Sequence, residues 1–506
     1  MADHSLPVSK PSNLLPFSHP RKTLFFAYGF MLIFLISTLF ILFNPSLYSS
    51  SSSSPWLLHN LVYFRSPSFF SSFFSHHFPD SGINASSSVV AVPPTPSSSD
   101  TTNVDASHPS HSSNISSAPE PQKSGDLIVK SEKEANESKG SIVGCNLFEG
   151  EWVRDESYPL YAPGSCPHID EPFNCFLNHR PDNDYEKYRW QPHGCNIPRL
   201  NGTDMLELLR GKRMVFVGDS LNRNMWESLV CVLRNSVEDK SRVFEASGRE
   251  EFRSEGSYSF IFHDYNCSVE FFKTNFLVQE WEMPDKNGSK KETLRLDLVE
   301  SSSDRFKDAD VLIFNTGHWW SHDKTTRGQD YYQEGSHVYR ELNVMDAFRR
   351  ALTTWARWVE ANVDPKKAQI FFRGYSASHF GGGEWNTGGK CDKETKPFTD
   401  ETYSSSFFFN TEVLEDVLKW MKTPVFYLNI TRLSDYRIDA HPSIYRGQQL
   451  TDEERRSPLR YQDCSHWCLP GVPDIWNELV YSQLLVRHHQ RLEEEQQREQ
   501  LHRKKS

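Results

Sequence analysis

The chain is 506 residues long, 37% hydrophobic and 24% charged, with a formal net charge of −11. That balance argues against a polyanion partner bound by charge alone, nucleic acid first among them. No phosphate loop, dinucleotide fingerprint or pair of Cys-x-x-Cys knuckles is present, so neither a metal nor a tightly bound cofactor is expected.

Leu24 to Phe43 is twenty residues without a charge, about the length of a membrane-spanning helix. Lys10, Arg21 and Lys22 precede it and the next basic residue is Arg65, so the positive-inside rule predicts a type II anchor. Residues 1–23 would form a cytoplasmic tail, 24–43 the span, and everything beyond would be luminal. Residues 44–140 are dominated by serine, proline and threonine, a composition too polar to bury a core, and read as a largely disordered stem. Sequons begin at Asn84, Asn114, Asn136, Asn201, Asn266, Asn287 and Asn429, each a candidate glycosylation site on a luminal surface. All nine cysteines lie beyond the span, as an oxidising compartment favours. Eight of them allow on the order of a hundred pairings, and spacing alone does not choose among these.

Residues 141–210 are rich in Cys, Pro and Trp and read as a minor lobe closing over a cleft. From 211 to 487, apolar runs at Met214–Val217, Val311–Phe314, Ile370–Phe372 and Val425–Leu428 alternate with helical spacing such as Met345, Phe348, Leu352 and Trp355. Strands alternating with helices predict an α/β fold, a three-layer sandwich with a parallel sheet covered on both faces.

The run Val215-Phe216-Val217 ends in Gly218-Asp219-Ser220, and Met225, Leu229 and Leu233 then recur four apart. Ser220 would therefore sit at the positive end of a helix, where a developing oxyanion is stabilised. Asp219 is expected to shape the turn. Far downstream, Asp463 precedes His466 by three residues, between Cys464 and Cys468. A serine nucleophile needs a base and a carboxylate that fixes the imidazole tautomer, and Asp-x-x-His on one turn supplies both. Asp439 and His441 form an Asp-x-His pair before Pro442, read as support for the fold or substrate rather than for proton transfer. Trp319, Trp320 and Trp385 are candidates to stack on sugar rings. Residues 488–506 alternate charges and glutamines, as a solvated helix or a disordered end does.

Several blocks together resemble the plant trichome birefringence-like family, in the branch around the trichome birefringence protein. They are Cys145–Val153, Gly218–Asn224, Asn315–Trp320, Asp439–Ser443 and Asp463–Gly471, continuing through Pro473, Asp474, Trp476 and Asn477. Arg373-Gly374-Tyr375-Ser376-Ala377-Ser378-His379-Phe380, without a proline after the serine, marks the branch. The resemblance implies a polysaccharide O-acetyltransferase of the Golgi membrane with a fold similar to Gly-Asp-Ser-Leu esterases. It further implies a Ser220, His466 and Asp463 triad, and oxyanion or substrate contacts from Asn222, Arg223, Asn315 and Gly317. It implies disulfides joining Cys145 to Cys195, Cys166 to Cys231, Cys175 to Cys468 and Cys391 to Cys464, with Cys267 free. An acetyl donor such as acetyl-CoA would be a co-substrate, and the acceptor a cell-wall polysaccharide such as xylan or pectin. Hydrolysis of acetyl esters, or non-catalytic binding of pectin or another wall polysaccharide, are the alternative readings.

Overall fold

Strand β3 (Arg213–Gly218) is the middle strand of a seven-stranded sheet, and the alternation of its side chains sets the two cores of the protein. The computed structural model describes residues 142, 144–284, 288–398, 409–447, 451–455 and 462–505. The expected anchor at 24–43 and stem at 44–140 lie outside them. Among the described residues no helix is long and apolar enough to cross a membrane.

A two-stranded antiparallel ribbon, β1 (Gly150–Arg154) with β2 (Tyr188–Pro192), and helix α1 (Gly202–Leu208) precede β3. Helix α2 (Ser220–Asn235) follows it, then β4 (Val243–Glu245), β5 (Ser257–Phe262) and β6 (Cys267–Lys273). Strands β7 (Val278–Pro284), β8 (Lys290–Val299), β10 (Tyr332–Glu334) and β11 (His337–Val338) form a separate sheet, interrupted in sequence by β9 (Val311–Phe314). Helix α3 (Val344–Asn362), β12 (Gln369–Arg373), α4 (Phe409–Trp420), β13 (Phe426–Leu428), α5 (Thr431–Asp435) and α6 (Val472–Lys505) complete the frame.

The large sheet runs β13-β12-β9-β3-β6-β5-β4. Its first five strands are parallel, and β5 and β4 add an antiparallel edge, so the sheet is mixed rather than purely parallel. Strand residues alternate between faces. Met214 and Phe216 join a core with Met225, Leu229 and Leu233 of α2 and Leu479 and Val480 of α6. Val215 and Val217 join the other, with Phe348, Leu352 and Trp355 of α3 and Val417 of α4. Both faces are thus covered, as the continuous apolar runs require, and the three-layer sandwich holds.

Residues of the 141–210 segment pack into the main core. Leu147, Phe173, Trp190 and Met205 enter the same core as α2 and α6, because this segment is too rich in large apolar rings to remain at the surface. Four disulfides pin it and the later loops: Cys145–Cys195, Cys166–Cys231, Cys175–Cys468 and Cys391–Cys464, with Cys267 buried and free. This is the pairing the resemblance implies. Cys175–Cys468 closes a separation of 293 residues. Replacing both of its cysteines by serine is expected to lower stability by about 2–5 kcal/mol, read as a lower urea midpoint.

Among the sequons, Asn201 and Asn266 are exposed and Asn429 half-buried, whereas Asn84, Asn114, Asn136 and Asn287 lie outside the described residues. The charged tail continues α6 as helix to Lys505.

The start of α6 holds a buried acid. Asp474 accepts from Ser228 Oγ at 2.5 Å and from the Gly471 amide at 3.1 Å, yet burial outweighs both and pushes its carboxyl up to about 8. An acid raised in the folded state keeps a proton that the unfolded chain releases from about pH 4, so its contribution to stability falls as pH rises from there to about 8. Asp474→Asn is expected to remove that slope. Thermal unfolding across this range should show the melting temperature of the variant rising relative to the unsubstituted chain.

Candidate active site

The parallel strands deliver their carboxyl ends to one edge of the sheet, the usual place for a site in an open α/β fold. At the end of β3, Gly218 has no alternative: a Cβ there would lie 1.8 Å from Asn315 Oδ1. Asp219 caps α2, accepting the Leu221 amide at 3.0 Å. Its own N–H donates to Asn315 Oδ1 at 3.1 Å, and Asn315 Nδ2 donates back to its carboxylate at 2.8 Å. Ser220 is therefore held as the first residue of the helix. Its amide donates to nothing among the described residues and points with the positive end of the helix dipole.

His466 Nε2 lies 2.7 Å from Ser220 Oγ. Its Nδ1 faces both oxygens of Asp463 at 2.9 and 3.1 Å. Asp463 Oδ1 also accepts the amides of Ser465 and His466 at 3.2 and 3.0 Å. Burial opposes ionisation of Asp463, but the His466 imidazole, the Arg446 charge and the His466 amide outweigh it and hold the carboxyl well below the usual range. An ionised Asp463 accepts from Nδ1–H, which leaves the lone pair of Nε2 to accept the Ser220 hydroxyl proton.

The loop bearing His466 is fixed on every side. Cys464 and Cys468 are disulfide-bonded, Asn224 of α2 pairs with both the amide and the carbonyl of Trp467, and the backbone of Asp463 pairs with that of Ser443. The Phe173 ring packs 5.1 Å from the imidazole.

Ser220, His466 and Asp463 open on a cleft of about 890 Å³, walled in part by His318, Trp319 and Trp385. Lys324 Nζ lies 4.9 Å from the Trp319 ring centre and 4.1 Å from that of Trp385. Trp320 is not part of this wall. It is buried, donates to Thr316 Oγ1 at 2.9 Å and packs on Phe276 and Phe348. No residue of 141–210 lines the cleft.

Two of the expected oxyanion contacts are engaged elsewhere. Arg223 projects inward from α2, where buried Asp170 takes its guanidinium as an ion pair and the Phe252 carbonyl accepts from it at 3.1 Å. Asn222 is fully buried and donates to the carbonyls of Val217 and Ile313, tying β3 to β9. Neither lines the cleft. Asn315 is buried with both ends of its amide on Asp219, although one Nδ2 hydrogen remains. The Gly317 amide has no partner among the described residues.

Other residues at the site lacked an assigned role in the sequence. His318 stacks on Tyr375 with ring centres 4.3 Å apart and hydrogen-bonds the Ser376 carbonyl through Nε2 at 2.7 Å. Burial holds it neutral, pushed down to about 4. Arg373 is fully buried 3.9 Å from Asp219, and burial lowers it to about 10. Only the tertiary fold brings these groups to Asp219, and no local spacing announces them. Asp439 pairs with Arg437 at 2.9 Å, and His441 Nδ1 hydrogen-bonds the His466 carbonyl at 2.7 Å, so both support the loop rather than face the cleft. Among the described residues no cluster of His, Cys, Asp and Glu is arranged to hold a metal ion.

A covered, largely parallel sheet with a Gly-Asp-Ser turn at its carboxyl edge and a distant Asp-x-x-His loop beside it defines an esterase-like α/β protein of the SGNH type. The chain belongs to the GDSL/SGNH-like acyl-esterase family found in Pmr5 and Cas1p, whose pattern matches residues 197–483, and within it to the trichome birefringence-like proteins. Residues 143–196 match the PMR5 N-terminal domain. The chain is 62% identical over 365 residues to the protein trichome birefringence of Arabidopsis thaliana, covering 72% of this chain and 60% of that protein. It is 52% identical over 506 residues to trichome birefringence-like 1, covering 92% and 91% of the two chains. It is 54% identical over 351 residues to trichome birefringence-like 4 of the same plant, covering 69% and 76%.

Proposed function

We propose that the chain is an O-acetyltransferase that moves acetyl groups onto hydroxyls of a plant cell-wall polysaccharide through an acetyl-serine at Ser220. The observation that carries this reading is the 2.7 Å contact between Ser220 Oγ and His466 Nε2 at the floor of an open, tryptophan-walled cleft. As Ser220 Oγ attacks the acetyl carbonyl carbon, its proton passes to His466 Nε2. The bond to the donor's leaving group breaks, and that group takes the proton from His466. A sugar hydroxyl then gives its proton to His466 while its oxygen attacks the acetyl-serine, and Ser220 Oγ leaves and recovers the proton. Asp463 keeps the imidazole in the required tautomer and offsets its charge. The Ser220 amide meets the developing oxyanion, with the Gly317 amide and the remaining Asn315 hydrogen as further donors. Trp319 and Trp385 offer faces for pyranose rings.

The same reading places residues 24–43 in the Golgi membrane and the cleft in the lumen. The four disulfides support an oxidising compartment. The donor is an activated acetyl ester or thioester such as acetyl-CoA. The test incubates the full-length chain with a labelled donor and a panel of deacetylated wall polymers, read by mass spectrometry. Acetyl on a polymer supports the transferase and names its acceptor. Free acetate alone replaces it with an esterase, and polymer binding without turnover replaces it with a wall-binding protein.

A further inference from the structure

The edge of the large sheet opposite the catalytic cleft carries a cluster of positive charge that acetyl transfer does not use. Lys212 stands just before β3, Asp310 just before β9 and Lys367 two residues before β12, so the amino ends of three adjacent parallel strands meet there. Helix α6 crosses the same edge and turns Leu484, Arg487, His488 and Arg491 toward it, a spacing that shares one helix face. With Leu208 and Leu209 from the end of α1, these residues wall a pocket of about 50 Å³. A strand rises about 3.3 Å per residue, so β3 separates this pocket from Ser220 by roughly 20 Å.

The charges in the pocket are not balanced. Lys212 Nζ donates to the Leu208 carbonyl, Lys367 Nζ to that of Asp308 at 2.9 Å, and Arg491 Nη2 to those of Lys366 and Lys367 at 3.4 and 3.3 Å. All of these partners are neutral. Neighbouring Glu207 and Glu270 pair with Arg210 and Arg213, and among the described residues no carboxylate forms an ion pair with Lys212, Lys367, Arg487 or Arg491. Asp310, the one acid in the wall among the described residues, accepts the Arg213 amide at 2.9 Å through Oδ2. Four cations against one carboxylate leave three positive charges in excess. Burial holds the Lys212 ammonium below its usual range, and the Arg491 charge pushes in the same direction. Burial, His489, Lys212 and Arg491 together disfavour protonation of His488, and Glu495, one turn further along α6, acts in the opposite sense. Like charges gathered in a half-buried pocket repel one another, and a counter-anion relieves the strain.

We propose that this pocket binds a phosphate group, presented by inorganic phosphate or by a phosphate monoester. A dianion offsets most of the excess charge. The guanidinium forks of Arg487 and Arg491 match phosphate oxygens in pairs, and Lys212 and Lys367 meet them as point charges. A volume of about 50 Å³ holds about four water-sized centres, room for the four oxygens of a phosphate and too little for a pyranose ring. The bound group ties α6 to the amino ends of β3, β9 and β12. Residues 144–148 lie against Gln483, Val486 and Gln490 on the neighbouring face of α6, so the chain that leads back toward residues 24–43 leaves beside the site. A phospholipid headgroup is therefore one source of the phosphate, and a soluble phosphate is the other.

Thermal unfolding of the full-length chain in an uncharged detergent is the test, with inorganic phosphate titrated against chloride at constant ionic strength. The melting temperature should rise by about 2–5 °C and saturate in the low millimolar range. Phosphate also stabilises proteins generally through exclusion from their surface, but that effect grows steadily to far higher concentration and does not depend on one arginine. Arg487→Gln and Arg491→Gln, neither of which lines the catalytic cleft, should each remove the saturable rise. Arg487 gives up no hydrogen bond among the described residues, so its variant folds and reports on the charge alone. Melting in phosphatidylcholine nanodiscs with and without phosphatidic acid identifies the source. A saturable rise with inorganic phosphate assigns the site to a soluble phosphate. A rise only with phosphatidic acid, erased by the same variants, assigns it to a lipid headgroup. No saturable rise with either probe, or a rise that the variants retain, overturns the site, whatever the reaction at Ser220.

Discussion

Replacing Ser220 by alanine is expected to lower acetyl transfer by roughly a million-fold while leaving the fold in place. The magnitude follows from how serine nucleophiles act as a unit with their base: once Oγ is gone, His466 has nothing to activate, and only the oxyanion donors and the cleft contribute. The fold should persist because Ser220 is half-buried and its hydroxyl bonds only to His466, while Gly218, Asp219 and Asn315 shape the turn. The measurement is transfer of labelled acetyl to polymer, with thermal unfolding alongside. A variant that still acetylates at more than about a thousandth of the original rate removes Ser220 from the reaction. Retained polymer binding in the inactive variant would show that the acceptor is held independently of the chemistry.

Much of this site is legible in the chain, and the reason is local. A strand buried on both faces must be apolar along its length, so Met214–Val217 and Val311–Phe314 declare themselves, and Gly218-Asp219-Ser220 inherits its position from the first. The loop at 463–468 is readable because Asp-x-x-His closes on itself within one turn. The four-stranded sheet was not legible: β8 reads Lys-Lys-Glu-Thr-Leu-Arg-Leu-Asp-Leu-Val, a partly exposed strand whose charges mask its alternation. Adjacent tryptophans diverge for a similar reason, since Trp319 and Trp320 emerge in different directions and only Trp319 reaches the cleft. Asn222 and Arg223 fail as oxyanion contacts because Asp170 and the carbonyls of Val217 and Ile313, distant in sequence, claim them. His318 and Arg373 gain their roles only when strands β9 and β12 are laid beside β3.

Asp463→Asn is expected to lower transfer by about ten-thousand-fold, and the geometry says why asparagine differs from alanine at this position. The amide oxygen of asparagine still accepts from Ser465 and His466, so the turn survives. Its nitrogen, however, offers hydrogens where Nδ1–H of His466 needs an acceptor. The imidazole then moves its hydrogen to Nε2 and presents a donor, not a base, to Ser220 Oγ. Alanine removes the turn contacts as well and should cost stability in addition to rate. The stability of Asp463→Asn carries its own signature. A carboxyl held below its usual range in the folded state stabilises above about pH 4 and loses that contribution as pH falls further. The gap in melting temperature between the unsubstituted chain and Asp463→Asn should therefore be widest near neutrality and close on acidification. A variant with nearly full activity, or a gap that widens on acidification, would mean that His466 takes its tautomer from another partner.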